Sequence, residues 1–242
     1  MILAVDAGNS RVKWGLHDGR GFALDGSVTH ADIDALDAHW SSLPAPSAIV
    51  IASVAGEVIG QKLRKFTGRW KTAPRWASST RSQAGVLNRY DDPSQLGIDR
   101  WAALIGARKF SSDPCVVVNA GTAMTVDALT ERGEFIGGII VPGFDLMRES
   151  LATNTARLSA EPGNFAPFPR STRDAIASGA IQALCGAVER MRGAMLAAGQ
   201  REPVLMFSGG GGELVARHVG RPVRMVDKLV LEGLVQIALE PQ

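Results

Sequence analysis

Leu3-Ala4-Val5-Asp6-Ala7-Gly8-Asn9-Ser10 returns 113 positions later as Val116-Val117-Val118-Asn119-Ala120-Gly121-Thr122-Ala123. Each copy is an apolar run that ends in a carboxylate or its amide, followed by Ala-Gly and a short hydroxyl or amide residue. A second apolar run follows each, Val12 to Leu16 and Met124 to Leu129. An apolar run, a tight polar glycine turn and another run predict a β-hairpin with a polar tip. Glycine lets backbone approach a ligand closely, and the neighbouring N–H and hydroxyl groups can point at anionic oxygens. Two such tips in one chain predict a duplicated fold that clamps a polyphosphate from both sides.

Outward from the first copy, residues 2–6, 11–17 and 22–28 read as three strands, with turns at Gly8-Asn9 and Asp18-Gly19. Helices are expected over 33–40 and 58–68, a buried strand over 48–53, and loop over most of 80–98, where Asp91-Asp92-Pro93 signals a turn. Asp99 to Phe110 sets Trp101, Leu104 and Ile105 on one helical face. The second copy restarts the pattern with strands at 115–119, 123–129 and 134–140, then a helix over 144–153 and a proline-rich loop over 159–171. A long alanine-rich helix over 173–198, a strand over 204–207 and helices over 212–219 and 227–239 complete it. Three strands followed by alternating helices and strands, done twice, predict a two-domain α/β protein with domains 1–112 and 113–242 and a site between the halves.

Composition narrows the class. A chain of 242 residues buries roughly 70% of its unfolded surface, so it needs no disulfide or structural metal to fold. Hydrophobic residues make up 45% and charged residues 21%, which is ordinary for a soluble globular protein. With 26 basic and 24 acidic residues and no basic stripe, nothing suggests nucleic-acid binding, and the patch from Lys62 to Lys71 reads as a solvated helix face. Cys115 and Cys185 are the only cysteines and read as buried free thiols, consistent with a reducing compartment. The N-terminus has no signal-peptide pattern, and no apolar run approaches the roughly 20 residues that span a bilayer. A cytoplasmic location is expected.

Four segments carry chemistry. In Asp6-Ala7-Gly8-Asn9-Ser10-Arg11, a carboxylate at a strand end beside a glycine turn can hold Mg²⁺ through water, while backbone N–H groups and Asn9 or Ser10 meet phosphate. Lys13, two residues past Arg11 on the same strand face, adds positive charge. In Asn119-Ala120-Gly121-Thr122-Ala123, Thr122 offers a hydroxyl and an N–H suited to a terminal phosphate, and Gly137-Gly138 and Pro142-Gly143 allow close approach of backbone and ligand. Ser208-Gly209-Gly210-Gly211-Gly212 follows a strand and opens a helix; it reads either as bare backbone for a base or ribose or as a plain flexible loop. It fits no dinucleotide fingerprint, and no Walker A sequence occurs. In Leu96-Gly97-Ile98-Asp99-Arg100-Trp101, Asp99 is either a helix N-cap or a general base, with Arg100 orienting substrate. His17, His30, His39 and His218 form no metal-ligand spacing and read as surface residues.

Taken together, DAGNSRVKWG from Asp6, LGIDRW from Leu96, NAGTAMTVD from Asn119, GEFIGGIIVPG from Gly133 and FSGGGGELV from Phe207 resemble the type III pantothenate kinases. That family belongs to the superfamily of actin, the heat-shock chaperone ATPases and the sugar kinases, and its motifs occur here in order over nearly the whole chain. The resemblance implies two duplicated actin-like (ribonuclease H-like) domains with an inter-domain nucleotide cleft. It implies ATP-dependent phosphorylation of pantothenate to 4'-phosphopantothenate, the first step of coenzyme A biosynthesis. It maps the ATP site to Asp6, Ala7, Gly8, Asn9, Ser10, Arg11, Val12 and Lys13, with Thr122, Gly209 and Gly210 as further nucleotide contacts. Asp99 maps to the proton acceptor, and Tyr90, Gly97, Ile98, Arg100 and Thr172 to the pantothenate site. Family members look like homodimers with pantothenate at the subunit interface, a contact expected on the long helix from Arg173. Where the family's second phosphate loop begins with Asp, which helps hold a monovalent cation (K⁺ or NH₄⁺), this chain has Asn119, so a cation requirement is weakened and Asp6 stands as the anchor for Mg²⁺. Two alternatives stand beside this reading: a non-catalytic regulatory relative of the transcription accessory factor type, and a kinase of the same fold acting on another small alcohol.

Overall fold

The computed structural model describes residues 1–155, 157–159 and 161–240; Ala156 and Ala160, the latter within the proline-rich stretch, and Pro241 and Gln242 lie outside them. The chain divides into two compact units, one formed by residues 1–110 with 228–242 and the other by 111–227.

In the first unit, β1 (Ile2–Ala7), β2 (Arg11–His17) and β3 (Phe22–Thr29) form the antiparallel meander predicted from the first repeat. Helix α1 (Ala35–Ser41) leads to β4 (Ala48–Ser53), which pairs parallel with β1, and α2 (Glu57–Thr67) leads to the short β5 (Pro74–Trp76), parallel to β4. The sheet order is β3-β2-β1-β4-β5. Period-two alternation sends Leu3, Val5, Ala7, Val12, Trp14 and Leu16 to one face, where they pack with Leu36, Trp40, Ile59, Leu63 and Phe66 of α1 and α2. The stretch expected as loop holds a small ribbon, β6 (Ser82–Gln83) with β7 (Val86–Asn88), and a 3-10 turn at Pro93–Gln95. Helix α3 (Ile98–Phe110) then closes the segment that begins with the LGIDRW motif.

The second unit repeats the plan. Strands β8 (Cys115–Ala120), β9 (Ala123–Leu129) and β10 (Glu134–Pro142) form an antiparallel meander. After α4 (Phe144–Asn154) and α5 (Thr172–Ala197) come β11 (Val204–Ser208), α6 (Gly212–Ala216) and β12 (Arg224–Met225). Strand β11 pairs parallel with β8, and β12 parallel with β11, so these strands run β12-β11-β8-β9-β10. That is the first unit's order repeated: meander, then two parallel additions beyond the central strand. Val116, Val118, Met124, Val126, Leu184, Val188, Leu205 and Phe207 form its core.

The closing helix α7 (Leu229–Leu239) corrects the expected division at 112/113, because it belongs to the first unit. The reason is a backbone-to-backbone crossing with α3. A Cβ on Gly106 would lie 2.3 Å from the Leu229 carbonyl oxygen, and one on Gly233 would lie 1.8 Å from that of Ala102. Two glycines thus let the helices approach closer than side chains permit. Lys109 adds an ion pair to Glu232 at 2.6 Å, and Arg75 donates to the Ile237 carbonyl at 2.9 Å, satisfying one of the orphan acceptors at that helix end.

Candidate active site

The first glycine tip is built by register. Strand pairing sets Asp6 opposite Lys13 and Ala7 opposite Val12, and the Gly8 N–H donates to the Arg11 carbonyl at 3.0 Å, leaving Asn9 and Ser10 at the turn. Ala7 and Val12 are fully buried, so of the predicted nucleotide contacts these two can offer backbone alone. Asn9, Ser10 and Arg11 are exposed, and Gly8 and Lys13 are half-buried. Burial, aided by the negative charge of Asp99 and opposed by Lys13, pushes the Asp6 carboxyl up to about 7. Lys13 offsets the burial and the Asp99 charge only in part, and a divalent cation would supply the remaining positive charge. Asp6 therefore fits Mg²⁺. No cluster of three or more His, Cys, Asp or Glu occurs among the described residues, so such an ion would take its other ligands from water and phosphate.

Asp99 lies inside the first turn of α3 instead of capping it, which removes the N-cap alternative. Its carboxylate folds back over Gly97, where a Cβ would come within 2.7 Å of Asp99 Oδ1. Gly97 thus leaves room for the acid, while Ile98 is buried. Arg100 is only 5% exposed, and its guanidinium donates to the Tyr90 hydroxyl at 3.2 Å while lying 5.9 Å from the centroid of that ring. Tyr90 and Arg100, both mapped to the substrate site, are therefore a pair, and Asp6 and Asp99 interact electrostatically in the same unit.

Two supporting residues escaped the sequence reading. Arg81 donates to the carbonyls of Asn88, Tyr90 and Asp91 at 2.8–2.9 Å, fastening the segment that carries Tyr90. Nothing local in the sequence marks an arginine that binds carbonyls up to ten residues away. His30 places its ring Nε2 3.0 Å from the Gly8 carbonyl, which corrects its reading as a surface residue. His17 also departs from that reading: it is 4% exposed, with Nδ1 accepting from the Gly19 N–H, whereas His39 is exposed and His218 is half-buried. Neither cysteine forms a disulfide; Cys115 is buried and Cys185 half-buried.

In the second unit, Asn119 pairs opposite Thr125 and the Gly121 N–H donates to the Ala123 carbonyl at 2.9 Å, with Thr122 exposed at the tip. Gly143 donates to the Thr122 carbonyl at 2.8 Å, and a Cβ on it would lie 2.1 Å from the Gly121 carbonyl oxygen. This glycine makes room for the hairpin tip. Gly209 behaves likewise: its φ is +88°, and a Cβ there would meet the Ala120 carbonyl oxygen at 2.2 Å and Asn119 Oδ1 at 2.8 Å. Gly210 is exposed beside it. Thr172 opens α5, one residue past the Ser171 cap, and borders a mostly apolar cavity of about 550 Å³ lined by Met147, Leu151, Ile176 and Gly179 among others.

Repeated sheets with polar hairpin tips define an actin-like fold of the sugar-kinase kind. A solved Sinorhizobium meliloti structure, assigned as a 2-dehydro-3-deoxygalactonokinase, superposes with TM-score 0.64 at 18% identity, covering 98% of both chains. A Campylobacter jejuni structure assigned to the Baf family of transcriptional activators gives 0.59 at 21% identity, over 97% of this chain and 96% of that one. At these identities both likenesses speak to the fold alone. The family is settled by sequence: the type III pantothenate kinase family matches residues 2–194. A type III pantothenate kinase from Nitrosospira multiformis is 44% identical over 240 residues, covering 99% of this chain and 92% of that relative. The chain belongs to the type III pantothenate kinases.

Proposed function

We infer that this protein phosphorylates pantothenate with ATP, giving 4'-phosphopantothenate and ADP. The observation that carries this reading is that Asp6, from the phosphate-binding tip, feels the charge of Asp99, at the head of α3 and one residue before Arg100, which is bonded to Tyr90. Near-full-length identity to catalytic relatives, with Asp6, Asp99, Arg100 and Thr122 all present, favours the enzyme over the non-catalytic alternative.

The primary hydroxyl oxygen of pantothenate bonds to the γ-phosphorus as the bond from that phosphorus to the β–γ bridging oxygen breaks. Asp99 accepts the hydroxyl proton, and Arg100 and Tyr90 hold the acceptor with Gly97 and Ile98. Backbone and side chains of 6–13, with Lys13 as the cation, hold the phosphates; Thr122 contacts the terminal phosphate, and Gly209 and Gly210 offer backbone to the nucleoside. Mg²⁺ at Asp6 would neutralise charge on the phosphate oxygens. Positioning and electrostatics supply most of the acceleration in such a transfer. Asn119 offers a neutral oxygen where a carboxylate would grip K⁺ or NH₄⁺ more firmly, so dependence on a monovalent cation is weak. Thr172 belongs to the pantothenate site, and a homodimer forms along α5. The enzyme works in the cytoplasm, a reading supported by its free thiols; among the described residues no helix is long and apolar enough to cross a membrane.

The test is a coupled ADP-release assay with pantothenate against other small alcohols, with and without K⁺, alongside light scattering for the dimer. Asp99→Asn is expected to keep both substrates bound but to lower kcat about 10²–10⁴-fold. Near-normal turnover in that variant would remove Asp99 as the base, and absence of pantothenate-dependent ADP would overturn the activity.

A further inference from the structure

We propose that His30 is a positioning residue for the phosphate loop, holding it from behind so that the Asn9 N–H faces the nucleotide. The proposal rests on the assignment of residues 6–13 to the ATP phosphates and adds to it a residue that touches no substrate.

His30 follows directly on β3, and the register that sets Thr29 opposite Arg11 brings it level with the glycine tip. Its position is fixed by its neighbours. Thr29 donates its hydroxyl to Asp32 Oδ2 at 2.7 Å and accepts from the Asp32 N–H at 3.2 Å, a side-chain turn immediately around it, and Ile33 beyond is buried. From there His30 makes two bonds to the loop. Its backbone N–H donates to the Ser10 carbonyl at 3.3 Å, and ring Nε2 lies 3.0 Å from the Gly8 carbonyl. A carbonyl oxygen only accepts, so Nε2 carries the hydrogen.

The second bond reaches function through the planarity of the peptide. The Gly8 carbonyl and the Asn9 N–H belong to one planar trans unit, in which the two groups point in opposite directions. Fixing the carbonyl toward His30 therefore fixes the Asn9 N–H toward the far side of the loop. Without the ring, this unit is free to rotate, because glycine at position 8 imposes little restriction on its own dihedrals. A donor aimed before the ligand arrives costs no reorganisation when it binds. Serine or threonine at position 30 could not span the gap, whereas glutamine carries an N–H of comparable reach.

The experiment compares His30→Phe, which keeps a ring and removes the donor, with His30→Gln, which restores a donor. Affinity for the Mg²⁺ complex of a non-hydrolysable ATP analogue is measured by titration calorimetry, with steady-state KM values for ATP and pantothenate and thermal melting in parallel. His30→Phe is expected to weaken analogue binding and raise KM for ATP about five- to tenfold, with KM for pantothenate unchanged within about twofold. His30→Gln recovers most of that loss. A purely structural role would lower the melting temperature and raise both KM values together. That pattern, or unchanged analogue affinity in His30→Phe, overturns the proposal. Should His30→Phe not fold, His30→Leu takes its place in the same comparison. If the parent protein binds the analogue but does not turn over pantothenate, the assigned activity fails while the calorimetric comparison still decides the role of His30.

Discussion

The two hairpin tips share a backbone plan and differ in how they are held and charged. Strand orders β3-β2-β1-β4-β5 and β10-β9-β8-β11-β12 correspond element for element. Yet the first tip keeps Asn9 and Ser10 at its turn, while the second keeps only Thr122. The first pairs an acid, Asp6, with Lys13; the second pairs an amide, Asn119, with Thr125. Side-chain chemistry braces the first, through His30, whereas backbone braces the second, through Gly143, Gly209 and the Gly211 N–H on the Ala120 carbonyl at 3.0 Å. Duplication preserved the strand plan, and charge was left on one side only.

The sharpest way to break that asymmetry is Asp6→Asn, which makes the first tip as neutral as the second. It is expected to lower kcat about 10²–10³-fold by removing the anionic anchor, read in the ADP-release assay. Gly209→Ala attacks the backbone bracing of the second tip: a Cβ there collides with the Ala120 carbonyl at an unfavourable positive φ. A loss of about 1–3 kcal/mol in stability is expected by chemical denaturation, together with weaker nucleotide binding. Thr122→Val removes the second tip's hydroxyl and should raise KM for ATP about tenfold to a hundredfold, as one lost hydrogen bond to a charged group would. Asn119→Asp is the mildest: it gives the second tip an acid, and the expected change is a gain in stimulation by K⁺ with little effect at saturating salt.

Acidity offers a separate reading of the same contrast. Because the folded Asp6 carboxyl sits near 7 against an ordinary value of 3.8, the native state prefers it neutral. Stability of the nucleotide-free protein therefore falls as pH rises from about 4 through 7, by a few kcal/mol at most, and levels off above. Asp6→Asn should flatten that slope in urea melts, whereas Asn119→Ala should leave it. Below this window the sign reverses, since hydrogen bonds from the Arg20 N–H, the Ser94 hydroxyl and the Ser171 hydroxyl hold Asp18, Asp92 and Asp174 below the usual carboxylate range.

Both meanders, β4, α2, α3, α5 and β11 were legible in the sequence because each is a periodic apolar run with a glycine or proline stop. Strands β5, β6, β7 and β12 were not, since two or three residues cannot display a period. The affiliation of α7 also lay beyond local reading: its apolar face says that it packs, but the Gly106–Gly233 crossing says where. Within the site, Asp6, Asp99, Arg100 and Thr122 stood in recognisable strings. Arg81 and His30 act on backbone carbonyls, which every residue possesses, so no partner residue type signals them. Gly143 and Gly209 were noticed for close backbone approach, but that each also makes room for the Gly121–Thr122 or Ala120 backbone is visible only in the fold.

The return of α7 to the first unit makes the second unit an insertion, entered after Phe110 and left before Lys228. During synthesis, residues 111–227 can collapse around their own core as soon as they leave the ribosome. The bare flank of α3, with its Gly106 groove, must wait until residues 229–239 have emerged. Premature termination just before Leu229 would thus leave a finished inner unit spliced into an unfinished outer one, with an apolar scar on α3 for chaperones or proteases to find.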